Sequence, residues 1–283
     1  MSQVVVAASR LGLSRGWLEF KQTMAASQEL IWTFVINGAF FLVLVLQRNS
    51  TVEGVPLALL TLPSLLGMSV ATGGLMGATS ILASHREDGT LLRAKAIPNG
   101  MIGYLVAQIV LTFLTTIFGM ALVLVPGLFV VDGLTSVGPA GWLALIGVLV
   151  LGMLATLPWG AIIGSLVKSA ASGFGLTFLP ISGVVAISGI FYPITALPDW
   201  VQWIGQVFPI YWLGLGMRAA ILPDAAAAAE IGGSWRHVET IGVLGAWAVV
   251  GLLIAPAVLR RMARHESGST MEARKERALH RGY

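Results

Sequence analysis

The chain has 283 residues, of which 56% are hydrophobic and 11% are charged, and its mean hydropathy is +0.85. Because a soluble domain carries about 25% charged residues, this composition excludes an ordinary soluble protein and indicates an integral membrane protein. The chain contains no cysteine, which excludes disulfide bonds, cysteine nucleophiles and thiolate metal sites.

The first predicted element is an amphipathic helix, in an N-terminal segment of residues 1–27 that we expect in the cytoplasm. Between Arg10 and Ala26, apolar residues recur at helical spacing on one side and polar residues take the other. The apolar set is Leu13, Trp17, Phe20 and Met24, and the polar set is Arg15, Glu19, Gln22 and Thr23. This pattern predicts a helix in the membrane interface, and a helix packed on the protein core or on a partner is the alternative.

Six apolar spans follow and predict a transmembrane domain over residues 28–260. The spans cover residues 31–46, 56–83, 101–131, 140–167, 170–191 and 238–259. The second would measure roughly 42 Å at about 1.5 Å per residue, whereas the bilayer core is about 30 Å thick. We therefore expect this span to tilt or to continue beyond the membrane. Prolines inside the spans predict kinks, at Pro63, Pro126, Pro158, Pro180 and Pro256.

The positive charges orient the spans. An even number of spans puts both termini on one side, and with that side in the cytoplasm only Arg48, Arg218 and Arg236 of the 17 arginines and lysines lie outside. This distribution follows the positive-inside rule. Residues 261–283 are then a basic cytoplasmic tail on anionic lipid headgroups, which explains the pI of 9.8 without nucleic acid. The excess of arginine over lysine, with abundant alanine and glycine, favours a bacterial inner membrane.

The spans contain no Asp, Glu, Lys, Arg or His once their end residues are set aside. Ion-coupled carriers rely on ionisable residues at membrane depth, and intramembrane proteases need a histidine or a pair of aspartates there, so both classes are disfavoured. The four histidines have no ligand spacing, so no metal site is expected. The chain also lacks a GxxxxGK[ST] loop, so any ATP that drives it has to be bound by a partner.

The polar groups inside the spans are Asn37, Gln108, Tyr104 and several serines and threonines. Five of these residues could line a substrate path, namely Asn37, Gln108, Thr112, Thr115 and Thr116. Hydrogen bonds between neighbouring helices are the alternative use of such residues. Two pairs of glycines at close-packing spacing, Gly73 with Gly77 and Gly160 with Gly164, could form a seam between two copies of the chain or pack within one chain.

Charges of both signs crowd into one stretch between the second and third spans, at about residues 84–98. It holds, in order, Arg86, Glu87, Asp88, Gly89, Thr90, Leu91, Leu92, Arg93 and Lys95, and Pro98 follows. Gly89 breaks the run, and Thr90 can N-cap a short helix whose charged residues stay in water until Pro98 ends it. We expect a small cytoplasmic helix that meets a soluble partner, and a solvated loop is the alternative.

A second distinctive stretch follows the fifth span, on the external side. Asp199, after Pro198, can cap a short helix that Pro209 stops. One face of this helix is apolar, with Trp200, Trp203, Ile204, Val207 and Phe208. The next segment, up to Leu222, is also too short to span a membrane, so the two predict a re-entrant or interfacial hairpin over about residues 194–222. The alternative is a seventh span broken by Pro209, which would place the basic tail outside.

Both stretches resemble the permease subunits of ABC-2 type transporters. Residues 86–92, after the second span and before Pro98, resemble that family's E-x-G-T-L pattern. The external stretch resembles the family's signature after the fifth span. Its matching residues are Pro193, Leu197, Pro198, Asp199, Trp200, Pro209, Tyr211 and Arg218. The two matches occur in the expected order, and the six-span layout covers nearly the whole chain.

The resemblance implies an all-α type V exporter fold, in which two permeases pair with two P-loop ATPase subunits. The second permease is another copy or a sister chain, and the ATPases bind ATP and Mg²⁺, so this chain itself needs no cofactor and is not an enzyme. In such permeases the leader is a connecting helix, the segment from Arg86 to Leu92 is a coupling helix, and the external pair are re-entrant helices. The resemblance further implies export of a drug, an antibiotic or a lipid-like molecule, with polysaccharide or glycolipid export as the alternative.

The resemblance also suggests how the coupling helix would work. Glu87 and Asp88 would pair with basic groups at the rim of a cleft in the ATPase, Leu91 and Leu92 would fill the cleft, and Gly89 would permit the turn. A membrane scaffold that only binds a cytoplasmic partner and a stand-alone carrier are the alternatives from other functional classes. Dependence of transport on ATP separates the permease from both.

Overall fold

The computed structural model describes residues 2–52, 55–97, 100–131, 133–167 and 169–265, and nearly all of them are helical. The α-helices are α1 (Ser2–Ala25), α2 (Ser27–Gln47), α3 (Leu57–Thr72), α4 (Ala78–Glu87), α5 (Thr90–Ala96), α6 (Gly100–Val130), α7 (Pro139–Leu166), α8 (Ala170–Ile187), α9 (Asp199–Val207), α10 (Pro209–Ile221) and α11 (His237–His265). A π-helical turn, Gly73–Gly77, joins α3 to α4. Short 3-10 turns occupy Leu134–Ser136, Ile194–Ala196, Asp224–Ala229 and Ile231–Gly233, and β1 (Thr51–Val52) pairs antiparallel with β2 (Val55–Pro56).

Six helices among the described residues are long and apolar enough to cross a membrane. They cover Leu30–Gln47, Leu57–Glu87, Gly100–Val130, Pro139–Leu166, Ala170–Ile187 and His237–Met262, which confirms that the six predicted spans are helical. The second runs for 31 residues, beyond its apolar part, as its length predicts. The fifth ends at Ile187, short of residue 191, because Gly189 adopts a left-handed conformation with φ +65°.

The leader forms a helix that starts earlier than predicted and packs along α6. Gly12 and Gly16 approach α6 so closely that a Cβ at either would lie within 2.7 Å of the Gly103 or Ala107 carbonyl oxygen. Trp17, on the predicted apolar side, is exposed. The glycine face therefore packs on the protein. Leu13 is exposed like Trp17, whereas Phe20 is half-buried and packs edge-on against Phe118 of α6, and the location of the exposed residues in the membrane interface stays a prediction.

Three of the four paired glycines of the spans, Gly73, Gly160 and Gly164, are closely packed inside this chain. A side chain at Gly73 would collide with Thr116, and one at Gly160 would collide with backbone carbonyls of the π-helical turn. A Cβ at Gly164 would lie 2.9 Å from the Thr79 carbonyl oxygen. Close helix approach within one chain therefore accounts for these three glycines, whereas a Cβ at Gly77 would meet only the Thr112 methyl group at 4.0 Å. A seam between two copies stays a prediction.

The centre of the molecule is α10, in which nearly every residue is buried. It packs on α3 and α7, and Tyr211, Leu213 and Leu215 are completely enclosed. Gly67 of α3 meets the backbone of Leu213, where an added Cβ would lie 2.9 Å away. The two short helices predicted over residues 194–222 are thus present, but the second belongs to the core of this chain.

The structure corrects one detail of this pair and bears out another. Asp199 does not cap α9, because it is the first helical residue and follows Pro198, which makes no side-chain cap. Pro209 ends α9 as predicted, because α9 ends at Val207 and Phe208 is extended, the conformation that a following proline favours. Pro209 is itself the first residue of α10. Proline suits that position, since its missing N–H would have no partner in the first turn.

Candidate functional site

The charged stretch after the second span forms a sharp turn between α4 and α5. Gly89 lies in this turn with φ +76°, a left-handed conformation that a residue with a Cβ adopts only under strain. The Asp88 carboxylate accepts a hydrogen bond from the Thr90 N–H at 2.8 Å. Thr90 is therefore the first residue of α5 and not its cap, which corrects that prediction. Pro98, the predicted end of the helix, lies outside the described residues.

The buried side of α5 packs against the membrane helices. Leu91 is only 1% exposed, and Ala94 is buried beside it. Both belong to an apolar cluster at the ends of α4, α6 and α11, here called the anchor cluster, whose other buried members are Leu82, Tyr104, Ala255, Leu259 and Met262. The prediction that Leu91 fills a cleft in a partner is wrong, because this chain already encloses its side chain. Leu92 is half-buried, and its contact with a partner stays a prediction.

Arg86 and Glu87 connect the end of α4 to the junction of α7 and α8. The Nη1 group of Arg86 donates to the carbonyl oxygens of Ser165 and Val167, both at 2.8 Å. These carbonyls lie at the C-terminal end of α7, where no helical N–H reaches them and where the helix dipole favours a cation. Glu87 Oε2 accepts a hydrogen bond from the Ala170 N–H at 3.3 Å, at the start of α8, where the dipole favours an anion.

The leader helix reaches the same region through Tyr104. The Tyr104 hydroxyl lies 3.2 Å from His85 Nδ1 of α4. The guanidinium carbon of Arg15 lies 5.9 Å from the centre of the Tyr104 ring, and Arg15 also pairs with Glu19 at 2.6 Å. A guanidinium at this distance is attracted to an aromatic ring. The leader, the end of the second span and the start of the third therefore meet at one tyrosine.

The solvent-facing side of this region carries charges of both signs around one large apolar residue. Arg93 and Lys95 of α5 are exposed, as are Glu87 and Asp88 of the turn. Ile97, just after α5, is 61% exposed. We call these five residues the coupling surface. An apolar centre with a polar rim is the usual composition of a protein contact.

The external stretch divides into an exposed half and a buried half. Pro193, Pro198, Asp199 and Trp200 are exposed, Leu197 is half-buried, and Pro209, Tyr211 and Arg218 are buried. Trp200 and Trp203 are 67% and 72% exposed, so α9 presents an aromatic face to its surroundings. Arg236, which directly precedes α11, connects α11 to α9 and α10. Its Nη1 donates to Gln206 Oε1 of α9 at 2.7 Å, and its guanidinium lies 4.7 Å from the ring of Trp212 in α10.

Arg218 and Glu230 form a buried ion pair at the end of α10. The two residues are 5% and 7% exposed, and Arg218 Nε lies 2.6 Å from Glu230 Oε1. Arg218 Nη1 also donates to the Ser64 hydroxyl at 3.0 Å and to the Gly189 carbonyl at 3.2 Å. Burial, and after it the Glu230 carboxylate, raises the pKa of Tyr211 to about 12, so this phenol is neutral near pH 7.

A comparison with known families decides the class of the protein. Residues 30–256 match the family described as ABC-2 family transporter protein, which is well over half of the chain. The chain belongs to this family. A search of curated proteins found no match. The chain is therefore the membrane permease of an ABC transporter, a component that works with a separate ATP-binding subunit and is not itself the ATPase.

Three of the five polar residues predicted to line a path lie together in the permease. Gln108, Thr112 and Thr116 are buried on one face of α6, and the two threonines lie beside the π-helical turn. Within the described part of the chain, their side-chain nitrogen and oxygen atoms have no hydrogen-bond partner. Thr115 instead donates to carbonyls of its own helix, and so does Asn37. The structure thus brings together a short polar strip between the second and third membrane helices.

Two residues that organise these sites, Tyr104 and Glu230, were not among the predicted site residues. Tyr104 lies in a continuous apolar run, where periodicity does not single it out. Glu230 follows a run of alanines, and its signal was indirect, since a buried arginine such as Arg218 requires an acidic partner. Across the described ranges, no group of three His, Asp or Glu side chains could hold a metal ion.

Proposed function

We propose that this permease exports a hydrophobic or amphiphilic molecule, such as a drug, an antibiotic or a lipid-like compound, and that α5 couples it to its ATPase. In this proposal two permease chains, identical or sister, pair with two ATPase subunits that bind ATP and Mg²⁺. They lie in a bacterial inner membrane with the termini in the cytoplasm. The observation that carries the proposal is the anchoring of α5: Leu91 inserts among the ends of three membrane helices, while the opposite side of α5 faces solvent.

The anchoring makes α5 suitable for transmitting a displacement. A loop attached only at its two ends would move without displacing the spans. Leu91 instead packs with α4, α6 and α11, and the neighbouring Arg86 and Glu87 contact α7 and α8. Packed interiors have low compressibility and transmit strain. A push on α5 would therefore reach every membrane helix from the second to the sixth.

The coupling surface supports a protein partner on the solvent side of α5. Because Leu91 is enclosed, the apolar contact with an ATPase would fall to Ile97 and the half-buried Leu92. The charges around them would orient the partner and accelerate its association more than they would strengthen the final complex.

The membrane helices favour a substrate without a full charge. Away from their ends, the predicted spans contain no Asp, Glu, Lys, Arg or His, and the buried Arg218 of the neighbouring α10 is already neutralised by Glu230. A charged substrate would find no partner along the spans, and burial of an unpaired charge is strongly unfavourable. Apolar and amphiphilic molecules do not meet this barrier.

Affinity purification of the tagged chain from its native membrane in mild detergent tests the proposal. We expect a P-loop ATPase to co-purify in near-equal amount and to hydrolyse ATP. Arg93→Glu should weaken this association. Arg260→Glu is the matched control, since both arginines are exposed and each donates a hydrogen bond to a nearby group of its own helix. If no ATPase appears under several mild conditions, a membrane scaffold becomes the better description.

A further inference from the structure

A cavity of about 150 Å³ lies between α4, α6, α7 and α11. Its walls are almost entirely apolar and include Leu82, Leu105, Leu157 and Ala161. An apolar cavity of this size accommodates a benzene-sized molecule and excludes water, which needs two to four polar partners. The cavity is therefore suited to an apolar occupant.

The cavity opens toward the surroundings of the helix bundle. Ile109 of α6 and Leu252 of α11 both line it, and both are exposed on the outside of the bundle. The two residues belong to helices that are long and apolar enough to cross a membrane, and exposed apolar side chains on such helices suit contact with lipid. With these sides in lipid, a molecule dissolved in the bilayer would reach the cavity between α6 and α11 without passing through water.

One polar side chain in the cavity wall has unsatisfied hydrogen-bonding groups. Gln108 is 7% exposed, and neither its Nε2 nor its Oε1 has a hydrogen-bond partner in the described part of the chain. A buried amide without partners is unfavourable, so an occupant that pairs with it would gain affinity. Because an amide both donates and accepts, a hydroxyl or amide group is the complementary chemistry.

The cavity shares walls with the anchor cluster. Leu82, Tyr104, Ala255 and Leu259 line the cavity and also belong to the anchor cluster, which includes Leu91 of α5. An occupant would press on the same side chains that hold α5 in place. Occupancy of the cavity is therefore linked mechanically to the coupling surface.

We propose that this cavity binds a membrane-dissolved amphiphile, with an apolar ring or acyl segment inside and a neutral hydroxyl or amide group on Gln108. Binding itself does not depend on the proposed function. The role of the cavity as the place where the permease takes up its substrate rests on that function. In that role the occupant would act on α5 through the anchor cluster and stimulate ATP hydrolysis by the partner.

Photo-crosslinking of the purified permease, without ATPase, tests the binding. The probes are 4-hydroxybenzophenone and benzophenone, in nanodiscs of phosphatidylethanolamine and phosphatidylglycerol. We expect saturable cross-links from the hydroxylated probe to the cavity walls on α6, α7 and α11. Gln108→Leu should reduce the preference for the hydroxylated probe about fivefold. Competition by 4-phenylphenol or by monoolein then shows whether a drug-like ring or a lipid is the better occupant.

A filled-cavity variant provides the decisive comparison. Ala161→Phe should abolish the saturable cross-links, and Ala257→Phe, at an exposed alanine outside the cavity lining, should leave them unchanged. Non-saturable labelling spread over exposed positions such as Leu179, equal in both variants, would overturn the site. Cavity labelling that Gln108→Leu leaves unchanged would overturn the role of the amide. Neither result touches the coupling proposal, because the assay contains no ATPase.

Discussion

Arg86, at the end of the second membrane helix, donates from Nη1 to the carbonyl oxygen of Val167 just beyond the end of α7, at 2.8 Å. The next residue, Glu87, accepts from the first N–H of α8. Two neighbouring charges of opposite sign thus satisfy the C-terminal end of one membrane helix and the N-terminal end of the next. The second membrane helix therefore stabilises the junction between the fourth and the fifth.

Arg86→Gln should destabilise the permease by about 1–3 kcal/mol, because it leaves carbonyls at the end of α7 without a cationic donor. The measurement is the midpoint of thermal unfolding, followed by tryptophan fluorescence in detergent. Arg93→Gln removes an exposed arginine of the same region and should leave the midpoint nearly unchanged. Equal midpoints for the two variants would contradict the structural role of Arg86.

Gly89→Ala should lower the free energy of unfolding by about 1–2 kcal/mol, since φ is +76° at this position and a Cβ strains a left-handed backbone. Gly89→Asn should recover part of that loss, because asparagine tolerates this conformation better. Gly175→Ala, in α8 with open space around the added Cβ, is the matched control and should be neutral or stabilising. Unfolding midpoints of the three variants check the order.

Leu91→Ala should open a void in the anchor cluster and cost about 2–5 kcal/mol of local stability, whereas Leu92→Ala at the half-buried neighbour should cost less. The readout is the rate of trypsin cleavage after Arg93, which reports how often α5 detaches. Faster cleavage in the Leu91 variant alone is expected. The same rate in both would show that Leu91 does not hold α5.

Much of this architecture could be predicted from the sequence, because the spans are long apolar helices and hydropathy identifies such helices directly. The position of the turn was also predictable, since Gly89 follows three charged residues. The inward direction of Leu91 was not, because α5 carries two adjacent leucines and other members of the anchor cluster, such as Leu259, are distant in sequence. Arg86 and Glu87 were interpreted as partner contacts for a similar reason. A charged side chain next to a membrane can contact either a partner protein or the end of a neighbouring helix. Only the positions of α7 and α8 in the structure show that Arg86 and Glu87 contact helix ends.

Glu230→Gln should destabilise the permease by about 3–5 kcal/mol, because it leaves the buried Arg218 guanidinium without its counter-charge. The double variant Arg218→Met with Glu230→Gln removes both charges and should recover much of this loss. Thermal unfolding of the single and double variants gives the coupling energy. If the double variant loses as much stability as the two single variants together, the coupling energy is zero and the two charges do not stabilise each other.

The central claim is that α5 passes the state of the ATPase to the membrane helices through the anchor cluster. Hydrogen-exchange mass spectrometry on the permease bound to its ATPase, with and without a non-hydrolysable ATP analogue, tests it most directly. We predict that exchange changes together in α5 and in the adjoining ends of α4, α6 and α11, and that in Leu91→Ala the change is confined to α5. A wild-type response limited to α5, or an identical response in the variant, would contradict the account.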